Sequence, residues 1–266
     1  MRGESSGGTP QGRAAGQVAD LPPSRTEPDG SAVVRLLSYN IRSLRDDREA
    51  LVRVIRACAP DVVCVQEAPR FFRWRKRAAW LARRTGLTYV TGGATAAGPM
   101  ILASLRAHVE RAEDVLLPRT PGLHQRGFAT AELRFGPTAR LGVVSFHLSL
   151  QARERRQQAQ ALLDRTAALG VAPVAAAGDV NERPHGPAFG LLGEGLRDAW
   201  GLKPWGAEHT SPASAPVQRI DAVFAGEGVE VLGAGVPRGL PGVTLADLAA
   251  ATDHLPVLAA LRVPGA

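Results

Sequence analysis

Residues 171–184 read VAPVAAAGDVNERP. An almost wholly apolar run is broken at Gly178; Asp179 and Asn181 follow two positions apart, and Pro184 closes the segment. The first half has the composition and length of a buried strand. Side chains alternate across a strand, so residues two apart share a side. A carboxylate and a carboxamide at the end of one buried strand therefore aim at a common point.

Working outward, RERRQQAQALLDRTAALG has helical spacing and ends at Gly170, while RIDAVFAG, VEVLGAG and LPVLAALRV read as later strands. Nearer the start, VVRLLSYNI is a strand, and RDDREALVRVIRAC is a helix with Leu51, Ile55 and Cys58 on one face, stopped by Pro60. DVVCVQE is a short buried strand, and RFFRWRKRAAWLARRTG is a helical stretch running to Gly86. LTYV, PMILAS, the region around VLLP, GFATAELRF and RLGVVSFHL add further strands. Roughly ten strands with few helices exceed one doubly wound layer; two packed sheets with helices on their outer faces accommodate them. No internal repeat and no second boundary is visible, so residues 31–266 read as one domain. Residues 1–30, rich in Gly, Ser and Pro, read as a disordered tail.

Composition narrows the class. The chain has 266 residues, 45% hydrophobic, with no run approaching the ~20 apolar residues of a membrane span. The N-terminal stretch lacks a signal-like apolar region. Cys58 and Cys64, the only cysteines, fit a helix face and a strand better than a bridge. A reduced, cytoplasmic monomer is the expectation. Net charge is +7, and of 32 basic residues only Lys76 and Lys203 are lysine. Arginine suits phosphate, so the excess is compatible with an anionic partner, and equally with a genome that favours Arg codons.

Polar groups recur where apolar strands end. Asn40 ends LLSY, Glu67 ends VVCVQ, His147 ends VVSF, and Asp179 and Asn181 follow VAAAG. Asp221 opens an apolar strand, and Asp253 and His254 precede LPVLAAL. One such residue is ordinarily a turn or cap. Carboxylates gathered at one rim repel one another and call for a cation. Oxygen donors of this kind suit Mg²⁺ or Mn²⁺. Zinc is disfavoured, for there is no Cys pair and no HExxH. Neither a Walker A loop nor GxGxxG is present.

Together, SYNIRSL, VVCVQEAP, SFHLSL, AAGDVNERP, RIDAVF and ATDHLPV resemble, in order, the motifs of the endonuclease/exonuclease/phosphatase superfamily, over about residues 33–263. The resemblance implies a four-layer α/β/β/α sandwich of two mixed sheets, with the active site at one rim, acting as a metal-dependent phosphoric ester hydrolase. It implies Glu67 as principal metal carboxylate, with Asn40 beside it (also near substrate) and Asp253 completing the site. Asp179 and Asn181 would position the attacking water and hold phosphate oxygens. His254, its tautomer fixed by Asp221, would be general base or electrostatic partner, and His147 would stabilise the transition state.

One feature departs from the pattern. Many members carry Ser-Arg after the middle strand, whereas PMILASLR places Arg106 two positions late. Arg126, before GFATAEL, is a substrate-binding candidate; His185 is a further one, and His108, His124 and His209 receive no role. Residues 70–84 hold seven basic residues and no acid, with Phe71, Trp74, Ala78 and Leu81 on one stripe and Trp80 on the basic face. That face suits nucleic acid or an anionic membrane surface, or is simply solvated. Three readings follow: a phosphoesterase for a small or lipid-derived ester, a nuclease of the same fold, or a binding protein on a retired enzyme scaffold.

Overall fold

The structure, a computed structural model, describes residues 17–170 and 173–265. In chain order the first strands and helices are β1 (Arg25–Thr26), β2 (Ala32–Asn40), α1 (Arg48–Cys58), β3 (Val62–Gln66), α2 (Trp74–Thr85), β4 (Thr88–Gly92) and β5 (Met100–Ala103). Then come β6 (Ala107–Leu116), β7 (Gly127–Phe135), β8 (Ala139–His147), α3 (Ala152–Ala167), β9 (Val174–Asp179) and α4 (Pro187–Leu192). The chain continues through β10 (Arg197–Asp198), α5 (Ala199–Leu202), β11 (Asp221–Ala225), β12 (Glu230–Gly235), α6 (Leu245–Ala251) and β13 (Val257–Val263).

The strands form two mixed sheets. One runs β12-β13-β2-β3-β5-β4 with β1 alongside β2, the other β10-β11-β9-β8-β7-β6. Each contains a parallel pair, β2 with β3 and β8 with β9, within otherwise antiparallel neighbours.

Alternation along each strand explains the layers. Leu36, Cys64 and Ile101 meet Leu141, Val143, Ala175, Ala177 and Val223 between the sheets. Leu37, Val63, Val65 and Met100 face the other way, under Leu51, Ile55 and Cys58 of α1 and Leu81 of α2. Val144, Phe146, Ala176 and Phe224 pack beneath α3 and α4, against Ala159, Leu162, Phe189 and Leu192. Central strands are thus apolar on both faces, which is why they read as continuous runs. Fully burying each Val or Leu contributes roughly 1.5–3 kcal/mol. The result is the four-layer sandwich. Gly178 interrupts its run for a steric reason: a Cβ there would lie 2.1 Å from the Phe146 carbonyl oxygen on β8.

Three expectations need correction. The tail expected over residues 1–30 is packed from residue 17 onward: Val18 and Leu21 are buried, and Arg25–Thr26 pairs with β2. The buried Arg35 side chain organises it, donating to the carbonyls of Pro22 (3.1 Å), Val18 (3.1 Å) and Leu21 (2.8 Å). Few apolar groups suffice because one guanidinium satisfies three backbone acceptors. Residues 1–16 lie outside the described residues.

Second, α2 begins at Trp74, not Arg70, because Arg73 is left-handed (φ 59°). Phe71 therefore leaves the apolar stripe and is 80% exposed. Third, Trp80 is half-buried against the core under α1 and is not displayed on the basic face. Cys58 and Cys64 are free and buried.

Candidate active site

Strand register builds the site. On one sheet His147, Asp179 and Asp221 lie side by side, Asp179 being the Cα partner of both. On the other, Asn40 is opposite Gln66, and Glu67 follows directly. The two sheets face each other, so their ends converge on one rim. Asn40 bridges the gap: its Nδ2 donates to Glu67 Oε1 and to Asp179 Oδ2, each at 3.2 Å.

Asp179 and Asn181 do converge, but not by strand alternation. β9 ends at Asp179, and Asn181 is left-handed (φ 55°). Its backbone N–H donates to Asp179 Oδ1 at 2.8 Å, closing an Asx turn. Asn181 Nδ2 then donates to Leu148 O (2.9 Å) and to His147 Nε2 (3.0 Å). An amide NH₂ only donates, so His147 Nε2 accepts and its proton sits on Nδ1. Both amide hydrogens are thereby used on the protein, and the side chain holds His147 instead of offering them to a phosphate. Glu67 (φ 52°) and Ser43 (φ 57°) are also left-handed, and such backbone strain gathers at functional sites.

His254 Nδ1 lies 2.8 Å from Asp221 Oδ2, and its Nε2 is 3.9 Å from Asp179 Oδ2. Burial alone would lower His254, but the charge and hydrogen bond of Asp221 outweigh it, helped by Asp179 and Asp253, and raise it to about 10. Asp179, itself buried, is pushed up to about 7, chiefly by desolvation and then by Asp221, with His254 opposing. His147 is held well below the ordinary histidine value by burial and by nearby Arg126. At neutral pH the rim thus holds an imidazolium on Asp221, a neutral His147 and an Asp179 carboxyl held toward its protonated form by burial and Asp221.

A cavity of about 420 Å³ opens over these groups. Its walls include Glu67, Arg126, His147, Asp179, Asn181 and His254. Asp221 is buried behind His254, with Oδ1 lacking a partner among the described residues. Asp253 stands apart: it is half-exposed and pairs with Arg42 at 3.4 Å. Arg106 pairs with the buried Asp61 at 2.7 Å, a structural tie, and His185 is exposed and does not line the cavity. The sequence reading missed Arg70, Phe71, His124 and Leu150 in the walls. All four sit in loops, where no periodicity announces direction.

The donors fit a hard divalent cation at Glu67. Its carboxylate opens to the cavity, shares the Asn40 amide with Asp179, and has no Arg or Lys within ion-pair distance among the described residues. Asp179, Asp221 and His254 also bring three potential ligand atoms within 4.8 Å of one another. There the Nδ1–H of His254 is already committed to Asp221, which makes that trio a proton-holding group.

Residues 37–254 match the profile of the Endonuclease/Exonuclease/phosphatase family. No curated protein matches the chain in sequence. Among solved structures, a conserved protein of unknown function from Enterococcus faecalis V583 is similar, at 18% identity and a TM-score of 0.71 over 87% of this chain and 100% of that one. A mannosyl-6-phosphatase from Bacteroides thetaiotaomicron VPI-5482 is 16% identical, TM-score 0.68, over 86% of this chain and 99% of that one. TDP2 of D. rerio, complexed with a single-strand DNA product, is 19% identical, TM-score 0.65, over 86% and 98%. With six motifs in order, two sheets whose ends meet at one polar rim, and a profile match over most of its length, the chain belongs to the endonuclease/exonuclease/phosphatase family.

Proposed function

We propose that this chain is a divalent-metal-dependent phosphoesterase that hydrolyses a phosphate mono- or diester at this rim by in-line attack of water. The observation that carries the reading is the convergence of Asp179, His147 and the Asp221–His254 pair on one cavity that also receives Glu67. Mg²⁺ or Mn²⁺ would be held by Glu67, with Asn40 orienting that carboxylate and Asp253 joining after release from Arg42. When bound, the cation neutralises charge developing on phosphoryl oxygens.

The chain's own residues do the rest. Asp179, poised near neutrality, accepts the proton of the attacking water. His254, kept cationic by Asp221, stabilises the charge gained by the phosphoryl group, which favours its electrostatic role over that of the base. His147 contributes its Nδ1–H, while Asn181 fixes that tautomer and Arg126 binds a phosphate oxygen. The catalytic unit is residues 31–266 together with the packed segment from 17 to 30.

A nuclease of the same fold is the second reading. The arginines in the cavity wall favour it, and one similar protein, TDP2, was solved with a single-strand DNA product. No helix among the described residues is long and apolar enough to cross a membrane. The test is a panel of nitrophenyl phosphate mono- and diesters, oligonucleotides and phospholipids, each with Mg²⁺ and with chelator. Metal-dependent turnover of any ester supports the reading, and the preferred one separates small, lipid and nucleic-acid substrates. No turnover of any member with Mg²⁺ or Mn²⁺ would sink it.

A further inference from the structure

Two cationic or hydrogen-bonding groups in the cavity wall, Arg70 and His124, have no task in the chemistry above. The position of Arg70 is built, not incidental. Arg70 Nη1 donates to Ala97 O at 3.1 Å, and Ala68 N–H donates to Gly98 O at 2.9 Å. The loop 93–98 is thus tied to the turn that carries Glu67. Gly127, directly after Arg126, packs on the same loop: a Cβ there would lie 2.7 Å from Ala96 O. Just before it, Gln125 Nε2 is locked onto Leu117 O (2.6 Å) and Arg126 O (2.9 Å). One loop therefore fixes Arg70 and Arg126 together, with His124 two residues upstream.

Charge runs one way along this wall. Arg126 feels Asp179 and Glu67 on one side and Arg70 on the other, and Arg126, Arg70 and His124 all act on His147. Among the described residues neither arginine has a carboxylate within 4.0 Å, and His124 makes no side-chain hydrogen bond. From Ala68 to Val109 the chain contains no Asp or Glu at all. A half-buried guanidinium without a counter-charge is unfavourable unless an anion arrives. Arg126 borders the catalytic carboxylates and meets the scissile phosphate; Arg70 and His124 extend beyond it. A cavity of about 420 Å³ also holds far more than one phosphate fills.

We propose that Arg70 and His124 form a second anion subsite, taking a phosphate group that neighbours the scissile one. The inference rests on the phosphoesterase reading and names its substrate class: esters carrying at least two phosphates, on a nucleic-acid strand or on a polyphosphorylated small molecule. The planar guanidinium fork and the ring N–H suit a tetrahedral oxyanion.

The test is titration calorimetry with Mg²⁺, comparing thymidine 3′,5′-bisphosphate with thymidine 5′-phosphate, and fructose 1,6-bisphosphate with fructose 6-phosphate. Any ligand that is turned over is compared by KM instead. The wild type should bind one bisphosphate at least about tenfold tighter than its monophosphate partner. Arg70→Gln and His124→Ala should each cut that ratio, and together bring it to about one. Preference within the thymidine pair supports the subsite with a strand as source, and preference within the sugar pair supports it with a small polyphosphate. His124→Ala keeps the test sound if Arg70→Gln disturbs the Ala97 loop, which melting temperature would reveal. A wild-type ratio near one for both pairs overturns the proposal, as does a ratio that survives in the double variant. A clear ratio with no turnover of any ester would sink the phosphoesterase reading and leave the subsite standing.

Discussion

Asp179→Asn should stabilise the metal-free protein at alkaline pH while abolishing hydrolysis. Asp179 is 1% exposed, and its pKa is raised from an ordinary 3.8 to about 7 by burial and by Asp221. A carboxyl raised on folding binds more protons in the native state between those two values. Its contribution is therefore fully present below the unfolded pKa and is lost as pH rises through the folded one. Three units correspond to about 4 kcal/mol of destabilisation by the ionised carboxylate. Asparagine removes that charge. It keeps an acceptor for Asn181 N–H but turns an NH₂ toward Asn40, losing about 1 kcal/mol. The variant should thus be more stable by about 2–3 kcal/mol at pH 8 and slightly less stable near pH 4. Urea denaturation in chelator at both pH values reads the difference directly. A variant less stable than the wild type by the same amount at both pH values would refute the electrostatic reasoning.

Other expectations follow from the same geometry. With Asp179 needing to be ionised and His254 protonated, kcat/KM should rise with pH toward about 7 and fall toward about 10; a profile keeping its alkaline limb in His254→Ala would contradict the assignment. His254→Ala and Asp221→Asn should each cost ~10²–10³-fold in kcat/KM. The double variant should be little worse than His254→Ala, because the two act as a unit; simple multiplication of the losses would show independence. Deleting residues 1–29 should lower stability by about 2–5 kcal/mol, since Val18 and Leu21 leave the core and Arg35 loses three acceptors. An unchanged melting temperature would show that the segment does not pack as described.

The sandwich was legible because its strands are covered on both faces, so that runs such as VVCV and VAAA stand out, and because polar groups follow them at once. The register that sets His147, Asp179 and Asp221 abreast needs only those strand ends. β6 was mostly hidden. It is an edge strand whose charged residues face water and form ion pairs, Glu110 with Arg134 and Arg140 on neighbouring strands and Glu113 with Arg165 of α3. Only its end near VLLP looks apolar. The packing of residues 17–30 was hidden too, because it depends on one arginine far along the chain and on no local pattern. Loop directions were the least legible. The left-handed backbone at Glu67, Arg73 and Ala97 decides what lines the cavity, and non-glycine residues give no sequence signal for it.

The most direct measurement is hydrolysis of the best ester by chelator-stripped wild type and Glu67→Gln across a Mg²⁺ titration, with circular dichroism confirming that both are folded. The wild type should be silent without the cation and recover on its addition, and the variant should require far more Mg²⁺ or stay silent. Full wild-type turnover in chelator, or an unaltered Mg²⁺ response in Glu67→Gln, would contradict a metal-assisted phosphoesterase centred on this rim.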